Sequence, residues 1–301
     1  MTSYKSNLWS RARAIQAIRK FFIDRDYLEV ETPILIPSPA PEVHIDAIRT
    51  SRGFLHTSPE LCMKRLLSSG HSRIFQICKC FREGERGDIH LPEFTLLEWY
   101  KIDADYMDLM EECEELIRFV VREQDMGDKV EYQEMEIDLK GPWDRITIKE
   151  AFEKYSSLTL DECLRTGKFD ETIVTEIEPQ LDKSGPVFLY DYPSSLAALS
   201  RLKKNDPGFA ERFELYIGGL EMANAFSELN DADEQRSRFV KDEERRRRMG
   251  KEEYSFPHKF IEDLRQMPSS AGIAFGIDRL VMLLTNSPEI DQVVSFTPEE
   301  L

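Results

Sequence analysis

Two β-rich runs, Arg73 to Arg82 and Glu93 to Tyr100, flank a stretch from Glu83 to Pro92 that holds two glycines and mixed charges. Strand, loop, strand over so short a distance is the pattern of an antiparallel hairpin with a long tip. In the second run, the two-residue period of a strand places Phe94, Leu96, Glu98 and Tyr100 on one face. An ordinary half-buried strand alternates in the same way, but seldom with a glutamate on its apolar side. A buried carboxylate needs a partner, so Glu98 is the informative residue. With Tyr100 and Phe94 it could bind an ammonium group and stack a base. Arg82 ends the facing strand, where its guanidinium could make forked contacts with a phosphate.

The surrounding chain supplies more strands and helices in no regular alternation. Leu8, Ala12, Ile15, Ile18 and Phe22 form a helical stripe within residues 6 to 24, and Tyr27 to Ile36 reads as a strand interrupted at Pro33. Pro37 to Pro41 is a loop. Asp105 to Gln124 is an amphipathic helix with Leu109, Met110, Cys113, Leu116, Ile117, Val120 and Val121 on one side. Residues 125–186 read as a peripheral insertion with short helices and no evident chemistry. Strand signals return at Pro186 to Tyr192 and at Phe213 to Leu229, the latter turned at Gly218-Gly219. Asp231 to Met249 reads as a helix, and GIAFG from Gly272 feeds another near Asp278. The expected fold class is therefore α+β, an antiparallel β-sheet flanked by helices.

Charge narrows the function. Forty Lys+Arg against 57 Asp+Glu leave −17 over 301 residues, which opposes binding to long nucleic acid tracts. The reversal from Lys64 to Arg86, where Lys64, Arg65, Arg73, Lys79, Arg82 and Arg86 meet only Glu83 and Glu85, suits a polyanion such as a triphosphate. Arg245 to Arg248 are expected to pair with Asp242, Glu243 and Glu244 at helical spacing. No segment approaches 18 consecutive apolar residues and no secretory leader is evident, so a cytoplasmic protein without membrane contact is expected. The five cysteines form no C-x-x-C pairs. Cys78 and Cys80, on one face of a strand, are read as buried thiols rather than metal ligands.

Neither the P-loop pattern nor the dinucleotide-binding G-x-G-x-x-G is present, so any nucleotide must be held another way. Glu214, Glu221 and Glu228 are candidates for magnesium or a substrate amine. Strict alternation places Glu221 and Glu228 on opposite faces, so a shared site requires a bulge or bend between them. Gly276 allows close backbone approach, and Arg279 adds charge to a helix N-terminus.

These residues carry a resemblance. Phe81-Arg82 with His90-Leu91-Pro92-Glu93-Phe94-Thr95 resembles motif 2 of the class II aminoacyl-tRNA synthetases, Gly272 to Arg279 resembles motif 3, and Tyr27 to Pro33 resembles motif 1, which belongs to the dimer interface in that family. The segment ERFELYIGGLEMANAFSELNDADEQ and Ser58-Pro59-Glu60 with Lys64-Arg65-Leu66 are similar to lysyl-tRNA synthetases. The resemblance implies a class II synthetase catalytic core, residues 1–301 as a single domain, with 125–186 as a peripheral insertion and no anticodon-binding domain. TSPE, LEWY and Ala274 are similar to the family that attaches β-lysine to elongation factor P.

By that resemblance ATP and Mg2+ are the cofactors, β-lysine or lysine is the substrate, and elongation factor P is the acceptor. A homodimer that does not act on tRNA is implied. Arg82 would clamp the α-phosphate, Phe94 stack on adenine, and Arg279 lie on the other adenine face or near the γ-phosphate. Glu83, Gly84, His90, Leu91, Glu221, Met222 and Gly276 would complete the ATP site, with Glu214 and Glu221 holding magnesium. Ser58, Glu60, Glu98, Tyr100, Asn224, Phe226, Glu228 and Ala274 would line the amino-acid pocket. Two departures stand out: the glutamate expected two residues after the motif 2 arginine is Gly84, and the asparagine expected after the motif 2 histidine is Leu91. The competing readings are a truncated lysyl-tRNA synthetase-like ligase using α-lysine with another acceptor, and a non-catalytic lysine- or ATP-binding paralogue.

Overall fold

The computed structural model describes residues 2–181 and 184–301. In chain order the elements are α1 (Thr2–Ile23), β1 (Leu28–Glu29), β2 (Leu35–Ile36), β3 (Arg49–Thr50), β4 (Gly53–Leu55), α2 (Glu60–Ser68), β5 (Arg73–Phe81), β6 (Glu93–Ile102) and α3 (Tyr106–Glu123). There follow β7 (Lys129–Tyr132), β8 (Met135–Asp138), β9 (Asp144–Thr147), α4 (Ile148–Tyr155), α5 (Leu160–Thr166) and α6 (Phe169–Thr172). The last third holds β10 (Val187–Pro193), β11 (Phe209–Ile217), β12 (Leu220–Ser227), α7 (Ala232–Arg248), α8 (His258–Leu264), β13 (Ser270–Gly276) and α9 (Ile277–Leu284).

Eight strands form one sheet in the order β1-β5-β6-β13-β12-β11-β10-β9. The β5–β6 hairpin pairs without a register break from Arg73 opposite Lys101 to Phe81 opposite Glu93. Antiparallel pairing continues from β6 through β13, β12 and β11 to β10, while β1 and β9 add parallel edges. Leu97, Trp99, Ile273, Phe275, Ala225 and Phe213 face the helices on one side, where they pack with Phe22 of α1, Leu116 and Val120 of α3, and Leu280 and Leu283 of α9. That face takes the apolar burial, leaving the opposite face free to carry polar groups.

The helices are set by local chemistry. The Asp105 side chain accepts from Met107 N and Asp108 N, closing a capping box that starts α3. Buried Asp278, in the first turn of α9, accepts from Arg11 Nη1 at 2.5 Å and from Thr95 N at 2.6 Å, tying α1 and β6 to the base of α9.

Three differences from the sequence expectation have physical causes. Tyr27 to Ile36 forms only the two-residue strands β1 and β2, because Pro33 offers no N–H to a ladder and Thr32 N donates instead to the Gln76 side chain. Residues 125–186 contain the expected short helices, but also the β7–β8 hairpin and the edge strand β9, so part of the segment belongs to the main sheet. Only Arg248 of the basic run pairs with an acid four residues earlier, Glu244, at 3.7 Å. Arg247 pairs with Glu253, and Arg246 is fully buried, donating to the carbonyls of Glu42, Ile45 and Glu252 and pairing with Asp46 at 2.9 Å.

Candidate active site

The free face of the sheet forms the floor of a cavity of about 290 Å³. Direct cross-strand partners share a face, so the registers Glu98–Ala274–Asn224–Glu214 and Tyr100–Gly272–Phe226–Arg212 run as two polar rows across β6, β13, β12 and β11. Glu221 joins them through a break in alternation. Leu215 pairs with Ala223 whereas Tyr216 pairs with Glu221, so Met222 is an extra residue in β12 and is buried on the helix side together with Ala223. This bulge turns Glu221 onto the face of Asn224, Phe226 and Glu228, and all four line the cavity. It is the bulge that a common site required.

One end of the cavity is a buried cluster of carboxylates. Glu98 accepts from Ser58 Oγ at 2.5 Å and from Tyr100 Oη at 2.8 Å, yet makes no ion pair among the described residues. Burial, with repulsion from Glu60, pushes its carboxyl well above the usual range. Lys64, fully buried, bridges Glu60 and Glu228 at 2.5 Å each. Burial lowers the affinity of that ammonium for its proton, but the two carboxylates more than offset this and its pKa is raised. Glu228 Oε1 is buried without a partner among the described residues, Lys64 reaching only Oε2, and burial drives the carboxyl up to about 8 despite that cation. The Asn224 Oδ1 is likewise buried without a partner among the described residues. Several acceptors thus converge on one space with a single cation among them.

Gly272 lies under this cluster. A Cβ there would fall 2.2 Å from the Tyr100 ring and 2.4 Å from Glu228 Oε1, so only glycine lets the two approach across β13.

The other end is cationic. The Arg82 guanidinium lies 4.9 Å from the Phe94 ring centroid, is only loosely paired with Glu85 at 3.7 Å, and has a buried Nε without a partner among the described residues. Arg279 Nη1 donates to the Glu221 carbonyl at 2.6 Å and approaches Glu221 Oε2 at 3.3 Å, while its Nη2 lies 2.8 Å from His90 Nε2. Burial and the charges of Arg279 and Arg82 lower the His90 pKa, so a neutral ring can accept from Arg279. Gly276 caps α9 with an ordinary negative φ and opens onto the cavity. Glu214 accepts from Arg212 at 2.7 Å and Tyr216 Oη at 2.8 Å. Burial, then repulsion from Glu214, raises Glu221.

Ser58, Glu60, Arg82, His90, Leu91, Phe94, Glu98, Tyr100, Glu221, Met222, Asn224, Phe226, Glu228, Ala274, Gly276 and Arg279 all line the one cavity. Glu83 and Gly84 are exposed at the hairpin tip outside it, whereas Glu85 lines it. Glu214 faces an adjoining cleft of about 970 Å³, which shares Glu42, Glu221, Asn224 and Phe226 with the cavity. The basic tally from Lys64 to Arg86 disperses. Arg65, Lys79 and Arg86 pair with surface acids and Arg73 caps a backbone carbonyl, leaving Arg82 as the one that lines the cavity.

Two contributors escaped the sequence reading. Glu42 lines both spaces, and burial together with Glu60 raises it to about 7. Arg212 lies 4.3 Å from the Tyr192 ring centroid and pairs with Glu214. Its position two residues from Glu214 was a usable signal, since i and i+2 share a strand face. Glu42 sits in a proline-rich loop and gave none.

Comparison with known proteins matches residues 1–300 to the family described as tRNA synthetases class II (D, K and N). A Vibrio atlanticus protein named elongation factor P--(R)-beta-lysine ligase is 38% identical over 306 residues, covering 96% of this chain and 94% of its own. Proteins of the same name from Hamiltonella defensa and Vibrio cholerae are 38% and 37% identical over 98% of this chain, covering 95% and 96% of their own.

Proposed function

Because the chain belongs to the class II tRNA synthetase family (D, K and N), we propose that it is an ATP-dependent, AMP-forming ligase that activates (R)-β-lysine or lysine and passes it to a lysine side chain of elongation factor P. One observation carries the substrate class. Glu98 and Glu228 are buried carboxylates with spare acceptor capacity and Lys64 as the only ion-pair partner between them among the described residues, which is the complement of a diamino acid's two ammonium groups.

The reaction has two displacements. The substrate carboxylate oxygen attacks the α-phosphorus of ATP, the bond to the bridging oxygen breaks, and pyrophosphate leaves. An uncharged acceptor amine then attacks the acyl carbon, AMP departs, and the amine proton passes to solvent. No enzyme nucleophile is required. Arg82 is placed to hold the α-phosphate, Phe94 to stack the base, and Arg279, oriented by His90 and Glu221, to stabilise the developing charge. Glu214 and Glu221 would hold Mg2+, which when bound offsets triphosphate charge. The wider cleft beside Asn224 and Glu221 is the open side from which an acceptor side chain could reach the adenylate.

The protein works as a homodimer through the segment resembling motif 1, Tyr27 to Pro33, where Leu28 is an exposed apolar residue and Ile34 and Leu35, just beyond it, extend the exposed apolar surface. Among the described residues no helix is long and apolar enough to cross a membrane, and all five cysteines are free, which suits a reducing cytoplasm. The deciding experiment incubates the protein with ATP, either lysine isomer, and elongation factor P or tRNA, and reads acceptor mass. A single β-lysyl or lysyl adduct on elongation factor P is expected. Charging of tRNA alone would favour the truncated-synthetase reading, and binding without pyrophosphate release the non-catalytic one.

A further inference from the structure

Beside the amino-acid pocket, and outside its lining, lies a cluster that the ligation chemistry does not use: His56, Cys78 and Cys80. Cys78 and Cys80 alternate on β5 and point to the same side, with their sulfurs 3.8 Å apart. His56 arrives from the stretch after β4, which is laced along β5: His56 N donates to the Ile34 carbonyl, and Phe81 N to the His56 carbonyl at 3.0 Å. The imidazole Nε2 lies 2.7 Å from the Lys79 carbonyl and 4.0 Å from Cys80 Sγ. A ring nitrogen and both sulfurs all fall within 4.8 Å of one another. His56 and Cys80 are buried and Cys78 is half-buried, so the cluster is shielded yet reachable from one side.

A tetrahedral zinc centre with metal–sulfur bonds of about 2.3 Å and metal–nitrogen bonds of about 2.0 Å has sulfurs about 3.8 Å apart and sulfur–nitrogen edges of about 3.6 Å. The two sulfurs already stand at the first spacing, and the imidazole Nε2 is about half an ångström beyond the second from Cys80 Sγ, with a ring nitrogen no more than 4.8 Å from either sulfur. A disulfide would instead require the sulfurs to close to about 2.05 Å between alternate residues of a strand. That strand pairs without interruption, with Cys78 opposite Leu96 and Cys80 opposite Phe94. Two thiols and an imidazole are soft or borderline donors, which disfavours magnesium and calcium.

We propose that His56, Cys78 and Cys80 form a metal site with three protein ligands and a fourth position for water, taking a thiophilic divalent cation, Zn2+ foremost. On binding, the two thiol protons are released to solvent and the imidazole proton moves from Nε2 to Nδ1, so that Nε2 exchanges its bond to the Lys79 carbonyl for the metal. The site tethers the stretch after β4 to β5. Because Ser58, two residues beyond His56, donates to Glu98, the bound metal also fixes one wall of the amino-acid pocket. The site stands independently of which amino acid or acceptor is used.

The test titrates chelator-treated, reduced full-length protein with Co2+ and then Zn2+. One equivalent of Co2+ should give sulfur-to-cobalt charge-transfer bands and the intense visible bands of a four-coordinate ion, which Zn2+ abolishes. Cys78→Ser and Cys80→Ser should each weaken Zn2+ binding by more than about 100-fold, whereas Cys113→Ser should not. Should a variant fail to fold, the unaltered protein still decides: Zn2+ should protect the half-buried Cys78 from alkylation, as mapped by peptide mass, and a chelator should restore its labelling. Absence of charge-transfer bands, unprotected alkylation, or full-affinity binding in Cys78→Ser would each overturn the site.

Discussion

Glu98 is held by two hydroxyl donors and, among the described residues, no cation, which makes the pocket costly to maintain when empty and selective when filled. Glu98→Gln should raise the lysine KM in ATP–pyrophosphate exchange by about 100-fold, the loss of a charge-assisted hydrogen bond, without lowering Tm, since burial already favours the uncharged carboxyl in the empty pocket. Arg82→Ala should reduce that exchange by at least about 100-fold, because the α-phosphate loses its only closely placed guanidinium on the β5–β6 hairpin. Ala274 pairs with Glu98 on one side and Asn224 on the other, so its methyl projects into the space between two cavity-lining groups. Ala274→Gly should shift the ratio of kcat/KM values toward α-lysine by about 10-fold or more, as expected for one methyl in a close pocket. Unchanged isomer preference would remove Ala274 from the specificity argument.

At the scale of elements, two local devices place the site. The bulge at Met222 turns Glu221 to the cavity, and the bare Cα of Gly272 lets β13 pass beneath the contact between Tyr100 and Glu228. Gly272→Ala must displace the Tyr100 ring, and should lower Tm and lysine affinity together, read by thermal unfolding with and without lysine. Helix α7 contributes differently: buried Arg246 fastens the loop carrying Glu42 and Asp46, with its guanidinium 4.1 Å from the Tyr254 ring centroid. Arg246→Ala should cost about 3–5 kcal/mol in denaturant unfolding, and Arg246→Lys should recover little, because one ammonium cannot serve three carbonyls and a carboxylate in the same planar fork.

Over the whole molecule, the carboxylates of the amino-acid pocket share a sign. Glu42 is raised to about 7, Glu228 to about 8, and Glu98 well above its ordinary value. A folded-state pKa above the unfolded one means that the protonated form stabilises the fold. That contribution is complete below the unfolded value near 4.5 and is lost as pH rises through about 7 to 8. A diamino acid substrate needs the ionised forms, so its affinity should move the other way. Lysine KM should fall as pH rises from about 6 to 8, while the Tm of the ligand-free protein falls over the same window. Glu42→Gln should flatten the lower part of both profiles. A lysine KM independent of pH would contradict the assignment of these carboxylates to ammonium binding.

The hairpin, the helices α3, α7 and α9, and the α+β class were legible because each is written in local periodicity, and the family motifs supplied an order for the residues around them. Glu98 stood out because an acid on an apolar strand face has few explanations, and its cavity position follows from alternation alone. The basic tally misled because a count of charges along the chain ignores direction: Arg65, Lys79 and Arg86 turn outward to surface acids, and Lys64 is buried between Glu60 and Glu228. Glu42 gave no local signal, since a loop without period does not tell which way its side chains point. The sequence by itself determined the strands, the helix faces and the kinds of groups available, because those depend on neighbours a few residues away. Only the tertiary structure decided that Glu221 and Glu228 share a face, that Arg246 is buried, and that His56 meets Cys78 and Cys80. Those outcomes depend on a one-residue bulge and on long-range packing, where a single shift in register reverses the direction of every side chain that follows.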